Sequence, residues 1–274
     1  MDDSNLIAKF EKLGARATIR PLIENRWRLA PGPIVIDIGH DRRGEFFDIQ
    51  ATEDADVTVI DVQPRERHLL LMVRQSAERA NDPVRKDKFL CGHDERHWFV
   101  AGVPETAPVS NVITAKESLK PELVRDRESG KKGKRTKRLR RKTDTFVRQG
   151  EWFFLPAGNV RVNEKLLLRN EPISRGLGSK PHVCEFLYRD GGTTVYVCGR
   201  HPSGLDTQEY RKLLKKNPQA SKWNWRVMRR DPVVFVRGKV SHPDHATLRL
   251  DGWHRVAMNT ENQSRAMAAV AFLD

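Results

Sequence analysis

Three histidines near the C-terminus, His242, His245 and His254, are the side chains best suited to exchange protons near neutral pH. The string His242-Pro243-Asp244-His245 reads as a turn between two strands with a histidine at each end. His254 then lies beside Trp253 on the expected hairpin partner. With Arg255 or a lysine to stabilise a phosphorane-like charge, such a set suits metal-independent RNA cleavage; with Asp244 it suits a metal ion that activates water. The spacing selects neither mechanism, and turn or core histidines are the plainer reading of the same residues.

A second cluster, Cys91-Gly92-His93-Asp94-Glu95-Arg96-His97, packs one thiol, two imidazoles and two carboxylates into one short stretch. Extended backbone puts Cys91 and His93 on one side, and a turn returns His97 towards them. Zinc needs about four nitrogen or sulfur ligands, so Cys91, His93 and His97 form a candidate set, with His182, Cys184, Cys198 or His201 as the fourth. No C-x2-C pair supports it, and a solvated hairpin tip over a buried Cys91 competes. Beyond zinc no cofactor is expected, because the chain has no Gly-rich nucleotide loop, no Gly-x-Ser-x-Gly elbow and no His-Glu-x-x-His helix.

Phosphate binding has a clearer source. Lys131, Lys132, Lys134, Arg135, Lys137, Arg138, Arg140, Arg141 and Lys142 supply nine of the chain's +14 net charges, with no acid between them. Like charges at this density repel along any regular element, which predicts a mobile arm or linker over 129–145. Such an arm attracts polyanions by counterion release, and nucleic acid is the commonest of these. An inert linker, a membrane-surface contact and a nuclear-import signal are the other readings. Trp223 and Trp225 interleave with Arg226, Arg229 and Arg230. Strand alternation would put both indoles and Val227 on one face, either as a stacking platform for bases or turned into the core.

The elements that must hold these residues read as α+β, predominantly antiparallel β. The expected layout is a β-rich N-terminal lobe over 1–128, the basic arm over 129–145, and a β-rich C-terminal lobe over 146–274 with one helix near 207–216. One continuous sheet system with the arm inserted is the alternative. Leu6, Ile7, Phe10 and Leu13 predict a first helix stopped by Gly14, and Asp206 with Glu209 predicts a capping box for the later one. A helix interrupted by Pro121 is expected over 115–124. Gly191-Gly192 reads as a hairpin turn, and 267–273 as a closing helix or strand.

With 38% hydrophobic and 31% charged residues in 274, the chain can bury a core beneath a heavily charged surface. It has no apolar run of about 18 residues and an acidic start, so neither a membrane span nor a signal peptide is expected. Three cysteines suit a reducing compartment, cytoplasmic or nucleoid-associated, or nuclear in a eukaryote. The leading expectation is a non-enzymatic binder of RNA or DNA. A histidine-dependent nuclease or phosphodiesterase is the second, and a structural protein that binds an acidic partner protein the third.

Overall fold

Two aromatic contacts organise the N-terminal half. In the computed structural model, which describes residues 3–22, 33–75, 84–131, 135–175, 179–264 and 267, helix α1 (Asp3–Glu11) buries Leu6 and Phe10 one turn apart. The Phe10 ring packs on Phe47 at 4.6 Å, and Phe47 meets the edge of Trp98 at 5.4 Å. Phe47 belongs to a three-stranded sheet of β1 (Ala17–Pro21), β2 (Ile34–Asp41) and β3 (Gly44–Ala51), with β3 central and β1 parallel to it. Trp98 belongs to a four-stranded antiparallel meander of β4 (Asp56–Gln63), β5 (His68–Gln75), β6 (Arg85–Asp94) and β7 (His97–Val103).

Strand β5 carries the run Leu69-Leu70-Leu71, all fully buried. Leu69 and Leu71 enter the core shared with the first sheet, and Leu70 faces Val112 and Ala115 of α2 (Val112–Ser118). A continuous apolar run is what a strand covered on both faces needs. Asp61 fixes that cover by accepting the Val112 N–H at 2.9 Å. The helix expected over 115–124 is therefore two, α2 and α3 (Glu122–Glu128), divided at Pro121, whose ring cannot continue a helical hydrogen-bond ladder.

His68, at the start of β5, is buried with its ring edge towards Phe99. Burial, helped by Lys116, pushes its imidazole down from 6.5 to about 4. Below pH 6.5 the unfolded chain takes up a proton that the folded protein refuses until about pH 4, so stability falls through that window as pH drops. About 3 kcal/mol is at stake. Melting temperatures of wild type and His68→Gln between pH 7.5 and 4.5 check this: the variant should lose distinctly less on acidification.

The C-terminal half contains α4 (Arg135–Arg138), β8 (Val147–Gln149), β9 (Trp152–Pro156), β10 (Leu168–Ile173), β11 (His182–Asp190), β12 (Thr193–Cys198), β13 (His201–Asp206), α5 (Thr207–Lys216), β14 (Arg226–Arg230), β15 (Val233–His242) and β16 (His245–Met258). Six strands form one antiparallel sheet in the order β10-β11-β15-β16-β9-β8, and three form a small sheet in the order β13-β12-β14. Strand β16 is long and bulged near Gly252. The sheet coils enough for Trp152 and Phe154 of β9 to pack with Cys184, Val240 and Leu250.

Gly191-Gly192 does not close a hairpin. Strand β11 pairs within the large sheet, while β12 pairs with β13 and β14, so the glycines carry the chain from one sheet to the other. The capping box of α5 is present, with the Asp206 side chain accepting from Glu209 N. The end of the basic run departs from a free arm: Arg141 pairs with Asp94 and Glu95, and Thr145 and Phe146 are buried. Lys132 and Lys134 lie outside the described residues, as does nearly all of the expected closing element. Among the described residues no helix is long and apolar enough to cross a membrane.

Candidate metal centre in the cleft between the sheets

The β15–β16 hairpin is closed by the pair His242 and His245 around the two-residue turn Pro243-Asp244. On its other side β15 pairs with β11 in the register Val183 to Ser241, which places His182 opposite His242. Three histidines therefore stand in a row across three adjacent strands. Ring centroids are 4.2 Å apart for His182 and His242 and 4.8 Å for His242 and His245, about the spacing of neighbouring strands. One nitrogen from each lies within 4.8 Å of the others.

The row is buried in an uncommon way. His182 is 1% exposed, and among the described residues neither of its ring nitrogens has a hydrogen-bond partner. His245 Nδ1 has none either, lying 3.6 Å from Glu95 Oε2, which accepts the Ala246 N–H instead. His242 is better held: Nε2–H donates to Lys180 O at 3.3 Å, and Nδ1 accepts from Asp244 N at 3.1 Å. Buried polar groups are nearly always hydrogen-bonded, so orphaned imidazoles facing one another point to a ligand. Burial, then the neighbouring histidines, pushes His182 down to about 3. His242 and His245 are lowered chiefly by burial too, so all three present neutral rings with lone pairs at physiological pH.

Gly150, in the turn between β8 and β9, lies against this row. A Cβ there would stand 2.9 Å from His245 Nε2 and 3.5 Å from His182 Nε2, and its φ of +55° is one that side chains resist. His242, His245 and Gly150 line a cavity of about 610 Å³ walled by both halves of the chain, with His182 stacked behind. The β6–β7 hairpin completes the closure. Its tip acids Asp94 and Glu95 take Arg141, Asp94 also takes Arg148 at 3.1 Å, and Glu95 reaches Ala246 across the divide. Asp94 stays below the usual carboxylate range because Arg148 and Arg141 outweigh its burial.

The cleft holds further chemistry. His97 Nδ1 meets Glu45 Oε1 at 2.5 Å, a carboxylate–histidine pair whose ring lines the cavity. Most lining cations are already paired: Lys180 with Asp244 at 2.7 Å, Lys120 with Glu128 at 2.7 Å and Arg175 with Glu261. Arg140, from the end of the basic run, lines the cavity with no ion pair among the described residues.

The two sequence-based sets are redistributed. His242 and His245 come together as expected, but His254 stands nine residues along β16 from His245, donating from Nδ1 to Gly252 O. His182 takes the third place. Cys91, His93 and His97 do not converge, and His182, His242 and His245 are the one such group among the described residues. Cys91 faces the core, where burial raises its thiol far above the ordinary range; His93 packs on Trp98; His97 turns to Glu45. Cys184 is also buried, its thiol pushed up to about 12 by burial. Trp223 and Trp225 precede β14 rather than lying on it, and neither is buried. No protein family, curated protein or solved structure matches the chain.

Proposed function

We propose that the protein is a metal-dependent phosphodiesterase acting on nucleic acid, with a zinc-class ion held by His182, His242 and His245. The observation that carries this reading is the buried row of neutral imidazoles, with orphaned nitrogens, at the wall of a large cleft. Three imidazoles with a fourth position open to the cavity are the donor set of catalytic zinc, which lowers the pKa of bound water to about 7. Zn–N bonds of about 2.0–2.1 Å in tetrahedral array would require the nitrogens, which lie within 4.8 Å of one another, to close to roughly 3.3 Å apart. The Nε2–H bond from His242 to Lys180 O fixes the ring with Nδ1 as its lone-pair nitrogen, which would be free to hold an ion if it released the Asp244 amide.

Around that centre the cleft residues take natural roles. Arg140, which forms no ion pair among the described residues, offers charge to a phosphate. A zinc ion held there would supply activated water, and His97, oriented by Glu45 on the cavity wall, would be the residue to give a proton to the leaving alcohol. The phosphodiester of nucleic acid is favoured because Arg140 and Arg141, near the end of the basic run, line the cleft.

Dialysis against zinc followed by metal analysis, with hydrolysis of bis(p-nitrophenyl) phosphate and labelled oligonucleotides, tests the proposal. About one ion per chain and an activity removed by chelator and restored by metal are expected. Stoichiometric zinc without hydrolysis would overturn the phosphodiesterase and keep the metal site; no zinc would overturn both.

A further inference from the structure

We infer that the small sheet with α5 is a separate binding surface for single-stranded nucleic acid, in which aromatic rings stack bases and unpaired cations hold phosphates. The inference stands apart from the metal centre and does not rest on it.

Residues 193–230 carry nine Lys and Arg against two acids, Asp206 and Glu209, and both acids are spent on capping α5. Among the described residues none of those nine cations forms an ion pair. In the cleft, by contrast, nearly every cation is neutralised by a neighbour. Unneutralised charge on a folded surface is retained against its own repulsion, and it favours a polyanionic partner.

The rings supply the second, independent observation. Tyr196 stacks on Tyr210 at 3.9 Å and 7°, and Tyr210 meets the edge of Trp225 at 4.9 Å. His201 lies within 18° of parallel to both Trp223 and Trp225, 6.1 and 5.7 Å away, and the Arg200 guanidinium covers Trp223 at 4.4 Å. None of these five rings is buried, whereas aromatic clusters ordinarily form cores. The module's buried side chains are only Val195, Cys198 and Ala220, so all five rings stay partly open to solvent. Trp225 is fixed in it by its Nε1–H bond to Ala220 O at 2.7 Å.

Alongside runs the edge strand β14, exposed at every residue, with Val227 and Met228 66% and 51% exposed between arginines. A self-pairing edge would bring Arg226, Arg229 and Arg230 against their own copies, which the charge opposes. Bases in a duplex hide their faces, so a cluster of partly open rings rewards unstacked single strands.

The test is fluorescence anisotropy of the full chain with labelled 12-nucleotide single-stranded RNA and DNA and the matching duplexes, in chelator and across a salt series. Single strands should bind at least about 10-fold tighter than duplex. Trp223→Ala should weaken single-strand binding about 5- to 100-fold, with Trp223→Phe largely restoring it. Joint replacement of Arg226, Arg229 and Arg230 by Gln should flatten the slope of log affinity against log salt by about 2. Equal or tighter duplex binding, indifference to both sets of variants, or equal binding of a polyglutamate peptide would overturn the proposal. Because chelator is present throughout, failure of the phosphodiesterase reading leaves these outcomes unchanged.

Discussion

Alanine in place of His182 is expected to weaken zinc binding by more than about 100-fold while leaving the fold intact. Loss of an outer-shell partner alone typically costs a metal site 10- to 100-fold, and His182 is one of three direct donors. The fold should tolerate the change because both ring nitrogens are buried without a partner, a condition that costs about 1–3 kcal/mol for each group so placed. An apolar replacement removes that penalty. His182→Leu is therefore expected to melt higher than wild type without metal, yet to gain nothing from zinc. Wild type at about 100 times its dissociation constant should gain about 2.7 kcal/mol, several degrees in melting temperature. Gly150→Ala should resemble His182→Ala, since its Cβ would press on His245 Nε2 from 2.9 Å. Melting curves with and without zinc for the three variants decide the matter. A row of histidines that only packs would predict no response to zinc in any protein.

What the sequence reveals of this site depends on the distance over which its parts interact. The turn His242-Pro243-Asp244-His245 is local chemistry, and it forms as read. The same is true of the Asp206 cap and of the break at Pro121. His182 is sixty residues from His242, and only the register of β11 on β15 brings them together, which no local pattern encodes. The Cys91–His97 cluster fails for the converse reason. Cys91 and His93 do share a strand side, but the core takes up Cys91, His93 packs on Trp98 and the tight turn sends His97 to Glu45. Its acids, Asp94 and Glu95, prove the important members, because they anchor Arg141 and bind the hairpin to the other half of the chain. Charge density predicts a mobile arm at 129–145, but it cannot show where a run of arginines meets two acids waiting on a distant turn. The small sheet is obscured similarly: Gly191-Gly192 has hairpin chemistry, and the strand after it finds better partners in β13 and β14.

Glu128→Ala should destabilise the protein by about 3 kcal/mol or more, the largest single-residue loss expected outside the apolar core. Lys120 and Glu128 are 2% and 4% exposed, with Nζ 2.7 Å from Oε2, and Glu117 offers a weaker second contact at 3.3 Å. Removing Glu128 leaves a buried ammonium with one long ion pair and the Phe146 ring 5.8 Å away. The pair is not worth that amount as a pair, because two desolvated charges largely cancel the gain of their attraction. Replacing both partners by apolar residues of similar volume, Lys120→Met with Glu128→Leu, should accordingly recover most of the loss. Urea unfolding of the two single variants and the double variant measures the coupling directly. A loss under about 1 kcal/mol for Glu128→Ala would mean that Lys120 swings into the cavity it lines and regains solvent there. The cleft wall would then be soft at Lys120, and the junction of α3 with β9 would rest on the cluster of Val124, Phe146, Phe153 and Leu155 and on the Arg127 bond to Pro156 O.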